Sequence, residues 1–266
     1  MTDFADQNKN GIVFLYHSAD NDKEVQSFNN CSDAYNVVFV TSGSGTGVVE
    51  GRKFPITVGS VLVAKPLEYY YAENTDDTRF AYYTLSFSSK DLIDANRDML
   101  ERVIDESRCL HFSDEPYNAL LSAFERSQII GRLFDNHAEA YHLTLLSEII
   151  CLLSIARIER ETTDDSELGF RLIQYIGEYL TRDLTLEFLA KRFLVSKYYL
   201  CRAFKKHNGI SIHGYIVQKR IMLAKQLIES GIGAAVAAKS VGFYDYSTFY
   251  RAFVRIIGRP PFLART

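Results

Sequence analysis

Arg202 and Arg251 are the residues of this 266-residue chain whose type and setting could do chemistry. A guanidinium is a planar fork of donors and can bond guanine O6 and N7 together. Tyr198, Cys201, Arg202 and Lys205 fall at i, i+3, i+4 and i+7, so they share one face of a helix. Leu200, Ala203, Phe204 and His207 form the opposite, inward stripe, and Ser196 is placed to cap the helix start. Just upstream, Leu186, Leu189, Ala190 and Phe193 give a shorter helix its apolar face, with small Ala190 permitting close approach. Two short helices joined by a tight turn describe a helix-turn-helix. An ordinary helical pair with a solvated basic face carries the same pattern, and this stretch alone does not choose between them.

A second copy does choose. Shifted by 49 positions, Ser196 becomes Asp245, Leu200 becomes Phe249, and Arg202, Ala203, Phe204 and Gly209 become Arg251, Ala252, Phe253 and Gly258. The second outward face is Ser247, Tyr250, Arg251 and Val254, and Ala238 with Val241-Gly242-Phe243 repeats Ala190 with Phe193-Leu194-Val195. A repeat that keeps caps, core positions and an exposed arginine marks two copies of one unit. Between them, Ile212 to Glu229 reads as one continuous helix, about 27 Å long at 1.5 Å per residue. That is of the order of the roughly 34 Å between successive major grooves on one face of B-DNA. Arg202 and Arg251 are thereby the candidates for base edges, with Tyr198, Ser247 and Tyr250 adding base contacts and Cys201 in a reading position with little polar capacity. Lys197, Lys205, Lys206 and the basic residues of the long helix are the candidates for phosphates.

From about Leu168 to Arg265 the chain resembles the DNA-binding domain of AraC/XylS-type transcription regulators. The resemblance is carried by Leu189-Ala190, Leu200-Cys-Arg-Ala-Phe-Lys-Lys, Gly209, Arg220 with Ala224, Val241-Gly-Phe, Phe249-Tyr-Arg-Ala-Phe and Gly258 with Pro261. It implies an all-helical domain that binds promoter or operator DNA. Three departures stand out: Leu194 where the first turn often has glycine, Ala234 and Ala237 in place of larger aliphatics after Gly231 and Gly233, and Ala264 where an aromatic is expected.

Charge divides the chain in the same way. Residues 168–266 carry 16 Lys+Arg against 5 Asp+Glu, a net of +11, whereas residues 1–167 carry 14 against 28, a net of −14. A basic C-terminal half suits a polyanion, and the acidic half argues against the whole chain coating DNA. The cysteines (31, 109, 151 and 201) have no paired spacing, so neither a disulfide framework nor a zinc site is suggested. No apolar run approaches 18 residues and the N-terminus lacks a signal-peptide core, so a cytoplasmic protein without a membrane partner is expected.

The elements before the basic half read differently. After a polar N-terminal arm, 1–10, short β-runs separated by glycine turns extend from about residue 11 to 88, ending with Phe80–Phe87. Even spacing of this kind implies a small barrel or jelly roll. The layout around Val38–Gly45, Gly59–Val63 and Pro66–Tyr70 is similar to the cupin-type sensor domain that often precedes this DNA-binding module. There is no histidine between His17 and His111, so no metal centre, cofactor or enzyme is expected. Alternation puts Tyr69 and Tyr71 on one face and Tyr70 on the other, and resemblance to the sensor strands favours Tyr71, Tyr82 and Thr84 as inward, with Ser42 across from them. These four would bind a small polar ligand, while a plain core role for each remains the simpler alternative. Helices are expected at Leu92–Val103, Tyr117–Ile130 and Ala138–Ile158, the last with a stripe wide enough to pack on two sides. The resemblance implies a homodimer through helices in 117–158; packing within one chain is the alternative. His137 and His142 are five apart and do not share a helix face. The expected architecture is α+β in two domains: a cupin-like sensor and dimerisation domain over 1–160 (barrel about 11–88, helices about 90–160), a linker over 161–167, and a DNA-binding domain over 168–266 with two helix-turn-helix motifs on a long linker helix. The function this implies is a ligand-controlled transcription regulator. Its rivals are a constitutive regulator whose barrel only dimerises and a cupin enzyme fused to a DNA-binding module.

Overall fold

The computed structural model describes residues 11–19, 27–75, 79–133, 138–162 and 167–263. The expected arm at 1–10, His137 and Ala264 lie outside the described residues. The first half runs β1 (Val13–Ala19), β2 (Ser27–Cys31), β3 (Tyr35–Ser42), β4 (Gly45–Val49), β5 (Arg52–Ile56), β6 (Ser60–Ala64), β7 (Tyr69–Asn74), β8 (Phe80–Phe87), α1 (Asp94–Glu106), β9 (Cys109–His111), α2 (Asp114–Leu133), α3 (Ala138–Leu153) and β10 (Arg157–Ile158). The second half is helical: α4 (Leu168–Glu178), α5 (Leu186–Arg192), α6 (Lys197–Asn208), α7 (Ile212–Glu229), α8 (Ala234–Ser240) and α9 (Tyr246–Ile257).

The strands form two antiparallel sheets, one in the order β1-β8-β3-β6-β9-β10 and one in the order β2-β7-β4-β5. Side chains alternate across each strand, and here the central strands β3, β6, β7 and β8 are buried over most of their length on both faces. Val38, Val40, Leu62, Tyr70, Ala72, Phe80 and Tyr82 point between the sheets and fill the barrel. Val37, Phe39, Tyr83, Leu85 and Phe87, on the other face of the six-stranded sheet, pack against α1, α2 and α3. Cys31, Val48, Tyr69 and Tyr71 leave the four-stranded sheet on its outer side and join Leu172, Ile173, Leu200, Phe204 and Tyr215 from the helical half. Gly47 faces inward, where an added Cβ would stand 2.7 Å from Leu62. The chain is thus a stack in which helices, sheet, sheet and helices follow one another.

Some elements differ from the sequence expectation. α3 ends at Leu153 rather than Ile158. The Ile155 and Ala156 N–H groups reach back only three residues, to Leu152 and Leu153, so the helix tightens and stops. Arg157 and Ile158 then pair with His111 and Leu110 as an edge strand. The wide stripe of α3 is used within the chain: Leu145, Leu146, Ile149, Ile150 and Leu153 are buried against the sheet and its neighbouring helices. Arg126 of α2 holds Glu148 of α3 at 2.6 Å, and Asn96 of α1 donates to Ser147 at 2.7 Å.

In the helical half, α4 supports the first α5–turn–α6 unit, α7 follows, and α8–turn–α9 has its own core of Ile221, Ala237, Ala238, Val241, Phe249 and Phe253. Beside the alanines of α8 the core is aromatic: the Phe243 and Phe253 rings both lie 5.4 Å from Phe249, centroid to centroid. Leu194, at the first turn, has φ 56 and is 91% exposed, and its counterpart Gly242 has φ 93. A left-handed conformation costs an ordinary residue about 1–2 kcal/mol, and Leu194 has little packing to set against it. Leu194→Gly is therefore expected to raise the unfolding free energy by roughly 0.5–1 kcal/mol once glycine's extra chain entropy is subtracted. Denaturant unfolding checks this as a higher midpoint at unchanged slope; a lower midpoint would contradict it.

Candidate nucleic-acid interface

Each recognition helix is built between two fixed ends. The Ser196 hydroxyl accepts from the Tyr199 N–H at 3.2 Å, and the Asp245 carboxylate accepts from the Thr248 N–H at 2.6 Å. At the far ends Gly209 (φ 70) and Gly258 (φ 79) take the left-handed conformation that closes a helix. The turns match as well: Val195 N–H bonds the Ala190 carbonyl and Phe243 N–H bonds the Ala238 carbonyl, both at 3.0 Å. The first helix of the unit repeats at 48 positions and the second at 49, so the second turn is one residue longer. Arg220 of α7 ties the units together, donating from Nε to the Leu180 carbonyl and from Nη1 to the Gly242 carbonyl, each at 2.9 Å.

The faces left outside carry most of the expected residues. Tyr198, Arg202, Lys205 and Lys206 on α6, and Ser247, Tyr250 and Arg251 on α9, are exposed. Cys201 is half-buried and packs against the core beneath α6. Lys197 is exposed at the start of α6 and lies 2.6 Å from Glu187 of α5, an ion pair too solvated to matter much to stability. The basic residues of α7 are not free for phosphates as expected. Lys219 pairs with Glu50 at 2.9 Å, Lys225 pairs with Asp33, and Arg220 is spent on backbone carbonyls. Between the units lies a cleft of about 780 Å³, with Thr185, His213, Tyr244, Arg251 and Arg255 on its walls. Arg255 stands one helical turn after Arg251, a spacing readable in the sequence.

The four barrel residues do not form one group. Tyr82 and Thr84 point between the sheets, where the His17 ring stacks on Tyr82 with centroids 4.7 Å apart and its Nε2 stands 3.3 Å from Thr84 Oγ1. Tyr71 faces outward, and the inward tyrosine of β7 is Tyr70, which accepts from Asn30 at 3.3 Å. The alternation placing Tyr69 and Tyr71 opposite Tyr70 holds; the face chosen as inward does not, because the outer face is covered by the helical half. Ser42 follows a bulge in β3 and donates to the Arg79 carbonyl at 2.9 Å. It lines a cavity of about 310 Å³ with Tyr16, Tyr83, Tyr117 and Glu125, on the helix side of the sheet. Burial pushes the Tyr82 phenol up to about 12 and lowers His17, so the inward polar groups are uncharged near neutral pH. Tyr70 is legible in the sequence as the residue opposite Tyr69 and Tyr71, whereas the cross-strand partnership of His17 with Tyr82 emerges only from strand register. Among the described residues no cluster of three His, Cys, Asp or Glu is arranged to hold a metal ion, and no helix is long and apolar enough to cross a membrane.

Comparison with known proteins matches the two halves to two separate families. Residues 12–146 match the AraC-like ligand binding domain family and residues 189–265 a helix-turn-helix domain family. The uncharacterized HTH-type transcriptional regulator YbfI of Bacillus subtilis is 25% identical over 82% of this chain and 80% of its own. The HTH-type transcriptional activator RhaS of Klebsiella pneumoniae is 22% identical over 84% of this chain and 82% of its own. Among solved structures, ToxT from Vibrio cholerae is 13% identical over 96% of this chain and 97% of its own, with a TM-score of 0.39. With both halves matched in sequence order, the chain belongs to the AraC family of transcription regulators.

Proposed function

We propose that the two units read successive major grooves, α6 through Arg202 and α9 through Arg251, and that a small polar effector and a second copy of the chain act through the N-terminal half. The observation that carries the reading is the pairing of two capped helices, each with an exposed arginine, on one spacer of 18 residues. Tyr198, Ser247 and Tyr250 lie beside the arginines in sequence, and exposed Lys205 and Lys206 would take the phosphates. The cleft holding His213, Arg251 and Arg255 suits the strand that crosses between the grooves. Cytoplasmic residence and the absence of enzymatic activity accord with such a regulator.

For the effector, two observations point to different places. Tyr82 and Thr84 are inward but closely packed among Val40, Phe54 and Phe80, whereas Ser42 opens onto the cavity beside Tyr83 and Tyr117. We favour the Ser42 cavity: it has room for a small molecule, aromatic walls and polar groups of both kinds. The homodimer would use what α2 and α3 leave uncovered, including Ile129 and Leu143. Sedimentation at working concentration is expected to give a dimer that Leu143→Glu dissociates; a monomer would leave the reading of a barrel that only dimerises without support.

Base and phosphate contacts separate by experiment. Arg202→Ala is expected to cost about 1–3 kcal/mol of specific affinity and relax preference at one position of the site. Lys206→Ala should weaken all sequences alike and reduce the salt slope by about 1. If Arg202→Ala leaves affinity and preference unchanged, α6 does not read bases as proposed. The heads should also be unequal. Lys205 on α6 corresponds to half-buried Val254 on α9, which offers neither a phosphate contact nor a base-edge hydrogen bond. Base discrimination is expected to concentrate in the half-site read by α6, and equal information in both half-sites of a fully mutated binding site would refute this.

A further inference from the structure

The outward tyrosine of β7 has a use that its place outside the barrel makes possible. The last turn of α6 leaves carbonyls that no further helical N–H can reach. Gly209 N–H takes that of Lys205 at 2.9 Å, and the Tyr71 hydroxyl donates to that of His207. A side chain of the barrel therefore helps to cap the helix that carries Arg202.

The same turn is held from two further sides. The His207 ring is buried, with Nε2 2.9 Å from the Gly51 carbonyl at the β4–β5 turn. Its Nδ1 lies 2.9 Å from Glu167 Oε1, a close contact not aligned as a hydrogen bond, and Lys53 of β5 holds the same carboxylate at 3.0 Å. Gly169 of α4 presses on the ring from beneath: an added Cβ would lie 2.3 Å from that of His207. Gly51 has φ 79, and a Cβ there would meet Ile173 at 3.0 Å.

One turn of chain away, a second set of contacts fixes α7. Glu50 Oε1 accepts from Lys219 at 2.9 Å, its Oε2 accepts from the Tyr215 hydroxyl at 3.2 Å, and Lys219 also donates to the Leu67 carbonyl. Glu50 (φ 46) and Leu67 (φ 68) are two of the four non-glycine residues with positive φ among the described residues. Holding an ordinary residue in that backbone costs energy, and both of these residues present their acceptors to one lysine of the DNA-binding half.

We infer that the barrel is a working part of the first reading head: Tyr71 is a positioning residue for DNA reading, capping α6 so that Arg202 is held in register with its base pair. Arg202 lies five residues before His207 in one rigid helix, about 7.5 Å along its axis. Release at the capped end loosens the reading face without removing any group that touches DNA. The inference rests on Arg202 as a base contact, and the test keeps the two apart.

The test uses the full chain and a duplex enriched from a random-sequence pool by the wild-type protein. Tyr71→Phe keeps the ring and removes only the hydroxyl. The expected result is a loss of roughly 2- to 10-fold in affinity for that duplex, with base preference flattened in the half-site that Arg202→Ala also flattens. Affinity for a scrambled duplex stays the same, and the double variant loses less than the sum of the two. Hydrogen exchange without DNA gives an independent reading: the amides at the end of α6 should exchange faster in Tyr71→Phe, and those of α9 unchanged. If Arg202→Ala alters preference while Tyr71→Phe matches wild type in both measurements, the positioning role is wrong. Equal weakening of both half-sites, or faster exchange throughout the chain, also overturns it, since Tyr71 would then serve only general stability. If Arg202→Ala alters nothing, the base contact fails, and faster exchange confined to α6 would leave the cap standing alone.

Discussion

Three consecutive tyrosines, Tyr69, Tyr70 and Tyr71, are buried in one strand. Successive strand residues point to opposite faces, so a strand of this kind cannot border water on either side. The four-stranded sheet must therefore be covered twice. Its inner face closes on the six-stranded sheet, and its outer face takes α4, α6 and α7. Burying aromatic surface on both sides is worth about 25 cal/mol per Å², and this non-directional gain brings the halves together. The hydrogen bonds and ion pairs of Glu50, Tyr71, His207 and Lys219 then decide how they sit.

The ionic part of that interface follows from the same burial. A lysine withdrawn from water is tolerated only beside a partner, and Lys219 has the Glu50 carboxylate and a backbone carbonyl. Acidic residues of the barrel meet basic residues of the helical half at Asp33–Lys225 and Glu50–Lys219, and at the domain junction the Glu167 carboxylate lies between Lys53 and the His207 ring. Burial alone would raise the Glu167 carboxyl, but His207 and Lys53 outweigh it and hold it low. The opposite charges of the two halves thus serve assembly within the chain as well as attraction to DNA.

Much of this was legible in the sequence, and for identifiable reasons. The recognition helices could be read because capping residue, apolar stripe and exposed arginine follow a 3.6-residue period, and because the pattern occurs twice. β8 was legible at Phe80–Phe87 because all but Thr84 and Ser86 of its residues are apolar or aromatic. β2, with Asn29 and Asn30, carries no apolar alternation and owes its place to pairing with β7. The inward face of β7 was misassigned because alternation separates two faces without saying which is the core. When both are buried, composition has nothing further to offer. Lys219 and Lys225 looked like phosphate ligands for a similar reason: their partners lie more than 150 residues away.

The Lys219–Glu50 pair also bears on how such proteins can be recombined. The chain between β10 and α4 looks like a natural place to join one barrel to another DNA-binding half. Grafting this helical half onto a barrel without an acid at the β4–β5 turn would leave Lys219 buried and uncompensated, a defect of about 3–5 kcal/mol. The reverse graft would leave Glu50 in a strained backbone with nothing to hold. Modularity in this chain is therefore a property of its order in sequence, whereas the unit that can be exchanged intact includes the β4–β5 and β6–β7 turns together with α4, α6 and α7.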